Sequence, residues 1–266
     1  MKPLAVIAAS LGVWTLVAMA STGQRGSEAR PKPVSPPLAR IFGHVRDFDG
    51  KPIEGADIEL KMVRFENAAE ARSAADGSYS MTIEPGMYIA LAAVKDYRVK
   101  SLEYWAWNVP AFGELEIDPR FDRVEVYALN AWRPQGGYAS YQIYFRPMSL
   151  TMTVAAVTKA GGMDKLGGLS FIDIAPDFQA KDITVKVNGE RVEVLRVNKV
   201  QEASSPTQAL YGYLIQTPLP KAPAAGDWIT IDVTLTDPAT GEKGEARVYL
   251  ARPRHVQAPA PGPERR

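Results

Sequence analysis

Cysteine is absent from the 266 residues. That excludes disulfides, thiol nucleophiles, thiolate metal sites and lipid attachment through an amino-terminal cysteine. Histidine is nearly absent too, with only His44 and His255. A charge surplus is also lacking, since 31 Lys and Arg face 30 Asp and Glu, a formal net charge of +1. Phosphate binding needs a basic surplus or stripe, so no nucleic-acid partner is expected. The longest basic cluster, Arg252, Arg254 and His255, sits in a proline-rich tail.

Catalytic signatures are missing as well. Gly168-Leu169-Ser170-Phe171 lacks the second glycine of a Gly-x-Ser-x-Gly nucleophile elbow. No His-x-x-Glu metalloenzyme pattern occurs, and Ser-His chemistry would rest on His44, which lies in an expected strand. Asp47, Asp49 and Glu54 offer oxygens, but Gly50 comes too early for a calcium loop and no bidentate Glu follows at the right place. Asp173, Asp177 and Asp182 form a second acidic scatter with the same reading, turn-forming acids. Carboxylate pairs for glycoside hydrolysis are spatial, and nothing in the order of residues marks one. No catalytic residue, metal or cofactor is therefore expected.

What is present begins at the amino terminus. Lys2 precedes a run from Leu4 to Ala20 that is apolar apart from Ser10 and Thr15. Ala18-Met19-Ala20 has the small-x-small form cut by signal peptidases, so residues 1–20 read as a signal peptide. An uncleaved membrane anchor and a buried helix are the rival readings, although the run is short for a membrane span. Membrane contact is expected only if the signal stays uncleaved. Either leading reading places the rest outside the cytoplasm: periplasmic, cell-surface or secreted. Residues 21–40 are rich in Gly, Ser, Pro and charge and read as a disordered linker. Residues 253–266, with Pro253, Pro259, Pro261 and Pro263, read as a disordered tail.

Between these ends the periodicity is that of strands. Residues 41–46 alternate loosely into an Asp-Gly turn at 47–50, and residues 55–62 alternate with period two. Asp76-Gly77-Ser78 is a turn, 79–83 alternates, 87–94 is a continuous apolar run suited to a central strand, and 123–129 closes this unit. The order Gly43-x-Val45-x-Asp47-x-x-Gly50-x-Pro52-Ile53-x-Gly55-Ala56-x-Ile58, then Asp76-Gly77-Ser78-Tyr79, then Pro85-Gly86-x-Tyr88, resembles the carboxypeptidase regulatory-like domain. The resemblance spans about a third of the chain. It implies a transthyretin-like β-sandwich over residues 41–132, with turn glycines, a stiff bend at Pro52, and Tyr79 and Tyr88 in the core. Asp96-Tyr97 departs from the Gly-Tyr usual there. Such modules accompany exported peptidases, surface proteins and receptors without being catalytic, so the resemblance carries over no catalytic residue.

Residues 138–252 read as a second, immunoglobulin-like sandwich. Strands are expected at 142–154, 168–174, 183–187, 192–197, 210–215, 228–235 and 246–250. Asn188-Gly189 between the third and fourth is the strongest two-residue hairpin signal. Residues 156–169, with Gly161, Gly162, Gly167 and Gly168, read as a mobile loop. The fold class is thus all-β: a transthyretin-like sandwich followed by an immunoglobulin-like one.

The densest aromatic segment runs from Tyr104 through Trp105 and Trp107, and Trp132 follows near the end of the first unit. Tyr104, Trp105, Trp107 and Trp132 are the candidate binding residues, for a partner protein or a sugar face; core or seam is the competing reading. The expectation is a non-enzymatic exported binding or adaptor protein that engages a protein or envelope component. A structural subunit self-associating through edge strands is the first alternative, and a polysaccharide-active accessory protein the second.

Overall fold

A computed structural model describes residues 37–221 and 226–252. The expected signal peptide (1–20), most of the linker (21–40) and the tail (253–266) lie outside the described residues. In chain order the elements are β1 (Ala39–His44), β2 (Asp57–Lys61), β3 (Asn67–Arg72), β4 (Ser78–Ile83), β5 (Gly86–Val94), β6 (Tyr104–Ala111), β7 (Glu114–Glu116) and β8 (Val124–Trp132). There follow β9 (Ser140–Ser149), α1 (Leu150–Ala160), α2 (Met163–Gly167), β10 (Phe171–Ile172), β11 (Ile183–Val187), β12 (Glu190–Val192), β13 (Arg196–Ser205), β14 (Gln208–Pro218), β15 (Trp228–Thr236) and β16 (Lys243–Ala251).

Among the described residues the strands form three sheets. One has three strands in the order β4-β1-β7; a second runs β10-β14-β9-β8 with β13 also paired to β14. The third has eight strands, β12-β11-β15-β16-β6-β5-β2-β3. Its two halves join where β16 runs parallel to β6, from Ala246 opposite Trp105 to Val248 opposite Trp107. Side chains alternate across a strand, and β6 uses both faces. Tyr104 and Ala106 enter one core, with Ile41, Leu60, Met81 and Leu91. Trp105 and Trp107 enter the other, with Ile143, Phe145, Tyr213, Val233 and Val248. The protein is therefore all-β, with two sandwich packings on opposite faces of one shared sheet.

Several local expectations match. Ile183–Val187 is β11, and Asn188 (φ 49°) and Gly189 (φ 81°) make the tight turn that pairs Val187 with Glu190. Both turn residues have the positive φ that this hairpin class demands. Gly43 is needed for closeness. A Cβ there would lie 1.9 Å from the carbonyl oxygen of Ile117, which accepts the Tyr79 hydroxyl at 2.7 Å. Gly43→Ala is expected to cost about 2–3 kcal/mol, since the obstacle is backbone; urea unfolding of the two proteins measures it.

Other expectations are corrected. Residues 123–129 do not close the first unit, because β8 pairs antiparallel with β9 and sends Val124 and Val126 into the second core. The strand expected over 142–154 ends at Ser149, whose hydroxyl accepts from the Met152 amide at 3.2 Å and starts α1. The expected loop at 156–169 holds the second half of α1, from residue 156 to Ala160, and all of α2. Gly161, at φ 79°, terminates α1, so the first glycine is a helix cap. The expected strand 192–197 is split, since β12 ends at Val192 and β13 starts at Arg196 in a different sheet. Ala39 and Arg40, placed in the linker, belong to β1.

Candidate functional site

The aromatic candidates separate. Tyr104, Trp105 and Trp107 are buried, while Trp132, at the end of β8, is 45% exposed. Trp105 and Trp107 are two residues apart on one strand, so their rings fall on one face and stack at 5.0 Å between centroids. Tyr127 meets both edge-on at 5.4 Å. Phe65 meets them edge-on at 6.3 and 6.2 Å, from a β2–β3 turn in which its φ is 63°. Trp105, Trp107 and Tyr127 form part of the second core, while Phe65 is itself exposed. Buried between two layers, Tyr104, Trp105 and Trp107 present no open platform to a partner.

The same cluster holds a residue that the sequence reading passed over. Glu125, on β8, is 1% exposed. Its Oε1 accepts from Trp105 Nε1 at 3.0 Å, and its Oε2 has no hydrogen-bond partner. Burial first, and then the nearby Glu103 carboxylate, push its pKa up to about 8, against the pull of the Trp105 N–H, the Glu103 backbone amide and Arg98. Burial raises Glu103 as well, helped by Glu59. At neutral pH Glu125 is thus mostly a neutral carboxylic acid, able to donate as well as accept. The only sequence signal was a charge between Val124 and Val126, which period two assigns to a wet face.

Glu125 lines a cavity of about 350 Å³ between α1, α2, the start of β8, the end of β9 and the turn at 97–102. Its wall is otherwise mainly apolar, including Leu102, Met148, Leu150, Val157, Leu166 and Ile174. Tyr97, Arg98, Val154 and Met163 also line it and are exposed, which marks the mouth. Of α1 only Leu150 is buried, and Thr153, Val154, Val157 and Thr158 of the same helix line the cavity. A hollow of about 650 Å³ flanks α1 on its other side. Its charged groups, Lys159, Lys165 and Asp173, are all exposed.

The acids singled out from sequence are placed elsewhere. Asp47 Oδ1 accepts from the amides of Asp49 (3.0 Å) and Lys51 (2.8 Å) and shapes a turn. Asp177 pairs with Lys199 at 2.5 Å, and Asp182 accepts from the Gln179 amide at 2.9 Å. The His44 amide donates to Asp118 at 2.7 Å. Among the described residues, no three His, Cys, Asp or Glu side chains gather as a metal site would require. Also among them, no helix is long and apolar enough to cross a membrane.

No family model matches the chain, and no curated protein matches it. Solved structures overlap it loosely. A DUF3823 family protein from Bacteroides ovatus is 11% identical at a TM-score of 0.25, covering 80% of this chain and 99% of that one. A DUF3823 family protein from Parabacteroides merdae is 11% identical at 0.24, covering 81% and 99%. The major pilin subunit of Bacillus cereus is 10% identical at 0.26, covering 80% and 68%. The all-β fold is established by the strand pairing of this chain itself, not by these likenesses.

Proposed function

We propose that this chain is an exported, non-enzymatic binding protein whose ligand site is the cavity beneath α1. The observation that carries the reading is Glu125, a fully buried carboxyl with a free oxygen on the wall of an otherwise mainly apolar cavity. Small-molecule sites have this form: mostly apolar walls, a few placed polar groups, and volumes of roughly 300–1,000 Å³. Export is supported by the signal-like residues 1–20. The resemblance of residues 41–132 to the carboxypeptidase regulatory-like domain, a non-catalytic accessory module, points the same way. The ligand reaches the chain as a component of the envelope or its surroundings.

The test is native mass spectrometry of the full chain purified from its own compartment. Val157 lines the cavity, and Val157→Phe puts a larger side chain into it. A bound small molecule is expected on the wild type and not on Val157→Phe, with both unfolding at similar temperatures. A wild type that carries nothing and takes up no apolar compound from a panel would overturn the reading.

A second reading, assembly into a surface structure, is favoured by β13. Among the described residues it is a ten-residue edge strand that pairs with β14 alone. Open edges invite pairing with another chain, although charges such as Arg196 oppose it. Sedimentation at rising concentration decides: stepwise growth supports assembly, and a monomer throughout excludes it.

A further inference from the structure

Resting on the binding reading above, we infer that the cavity takes an uncharged, largely apolar molecule with one hydrogen-bond acceptor oxygen, and that Glu125 Oε2 is the group meeting that oxygen. Few polar side chains line the cavity wall, and most of their atoms are already engaged. Glu125 Oε1 is taken by the Trp105 indole N–H at 3.0 Å, while Oε2 is buried and unpartnered. Thr153 and Thr158 donate their hydroxyls to the carbonyls of Ser149 (2.7 Å) and Val154 (2.9 Å), inside their own helix. The Arg98 guanidinium lies over the Tyr97 ring at 4.9 Å, at the exposed mouth. One deep polar atom thus remains in a wall made mainly of Leu, Ile, Val and Met. A buried polar atom left unpaired is costly, and a ligand that pairs it recovers that cost.

The sign of the ligand's charge follows from what faces Glu125. The Glu103 carboxylate repels negative charge there, Trp105 and the Glu103 backbone amide donate towards the carboxyl, Arg98 stands on the mouth side, and Tyr97 and Tyr127 border the group. Glu59 and Lys61 act on it only through Glu103. With Glu103 as neighbour, burial keeps the Glu125 proton on at neutral pH, so Oε2 offers an O–H. An O–H donor selects an acceptor. An anionic ligand meets Glu103 and loses hydration in an apolar wall. A cationic ligand must pass Arg98 and then ionise Glu125.

Four probes with a phenyl ring on a four-carbon chain separate the outcomes: n-butylbenzene, butyrophenone, 4-phenylbutyrate and 4-phenylbutylamine. Binding to the full chain is followed by NMR, using the Trp105 indole N–H as the local reporter. At pH 6 butyrophenone is expected to bind about tenfold tighter than n-butylbenzene, the value of one hydrogen bond to a buried partner. Glu125→Leu abolishes that preference and leaves the hydrocarbon bound. Glu125→Gln keeps a donor and keeps the preference, and it guards against mere misfolding of the leucine variant. Above pH 9 the preference disappears in the wild type and persists in Glu125→Gln. Equal binding of ketone and hydrocarbon, or tightest binding of the amine or the carboxylate, overturns this inference and leaves the cavity a site. Binding of none of the four overturns the site itself.

Discussion

Replacing Glu125 by Gln is expected to raise the unfolding free energy by up to about 5 kcal/mol near pH 9.5 and to leave it almost unchanged near pH 4. The folded pKa of Glu125 is about 8, against an ordinary 4.5. A raised carboxyl pKa means that the folded state holds a proton the unfolded chain releases. Stability is then fully present below about pH 4.5 and falls as the pH climbs towards 8. A difference of about 3.5 units at about 1.4 kcal/mol each sets the ceiling. Gln cannot ionise and keeps an oxygen for the Trp105 N–H, so its curve lacks this slope. Urea unfolding at a series of pH values measures both curves. Parallel curves would mean that Glu125 reaches water or finds a partner on ionising.

Asp232→Ala is expected to cost about 3 kcal/mol. Asp232 and Arg247 face each other across β15 and β16, with Arg247 Nε donating to Asp232 Oδ1 at 2.6 Å. Their side chains are only 14% and 27% exposed. The pair belongs to a polar strip on the shared sheet, where Glu245 takes hydrogen bonds from Thr234 at 2.8 Å and from Arg120. Removing the aspartate leaves a mostly buried guanidinium without its counter-ion, the costly way to break such a pair. Asp232→Asn keeps an acceptor and should lose about 1 kcal/mol. Asp232→Leu combined with Arg247→Met should recover most of the loss, because packed apolar residues replace ion pairs well. A single variant as stable as the wild type would show that water already solvates Arg247.

The strands with one wet face were readable. In β2, β4, β11 and β15 the buried and less buried positions alternate along the chain as in the sequence. The tight turn at Asn188-Gly189 was readable because few residues accept its backbone angles. Asp96 stands where the resemblance leads one to expect glycine, and its φ is 53°, a conformation that Asp tolerates better than most residues. The helices were hidden. Residues 142–154 read as one strand-like stretch, and the Ser149 side chain marks where the strand ends and α1 begins. A short apolar run carries no period that separates strand from buried helix.

The site was mostly out of reach. Tyr104 and Trp105 look like one aromatic patch in sequence, but neighbouring side chains on a strand point to opposite faces, and β6 happens to be buried on both. Glu125 looks like an ordinary solvated acid between two valines. Its burial depends on Trp105, twenty residues earlier, and on the helix that begins at Leu150.

By itself the sequence determined the β class, most strand positions, the turns and the absence of cysteine chemistry, because period-two alternation and turn angles are local properties of the chain. Only the tertiary structure decided that one sheet serves two cores, that the tryptophans are interior, and that a carboxyl lines a cavity under α1. Those facts depend on which strands meet across β16 and β6 and on where α1 is placed beside β8 and β9. Both are set by contacts between residues far apart in the chain, which no local pattern records.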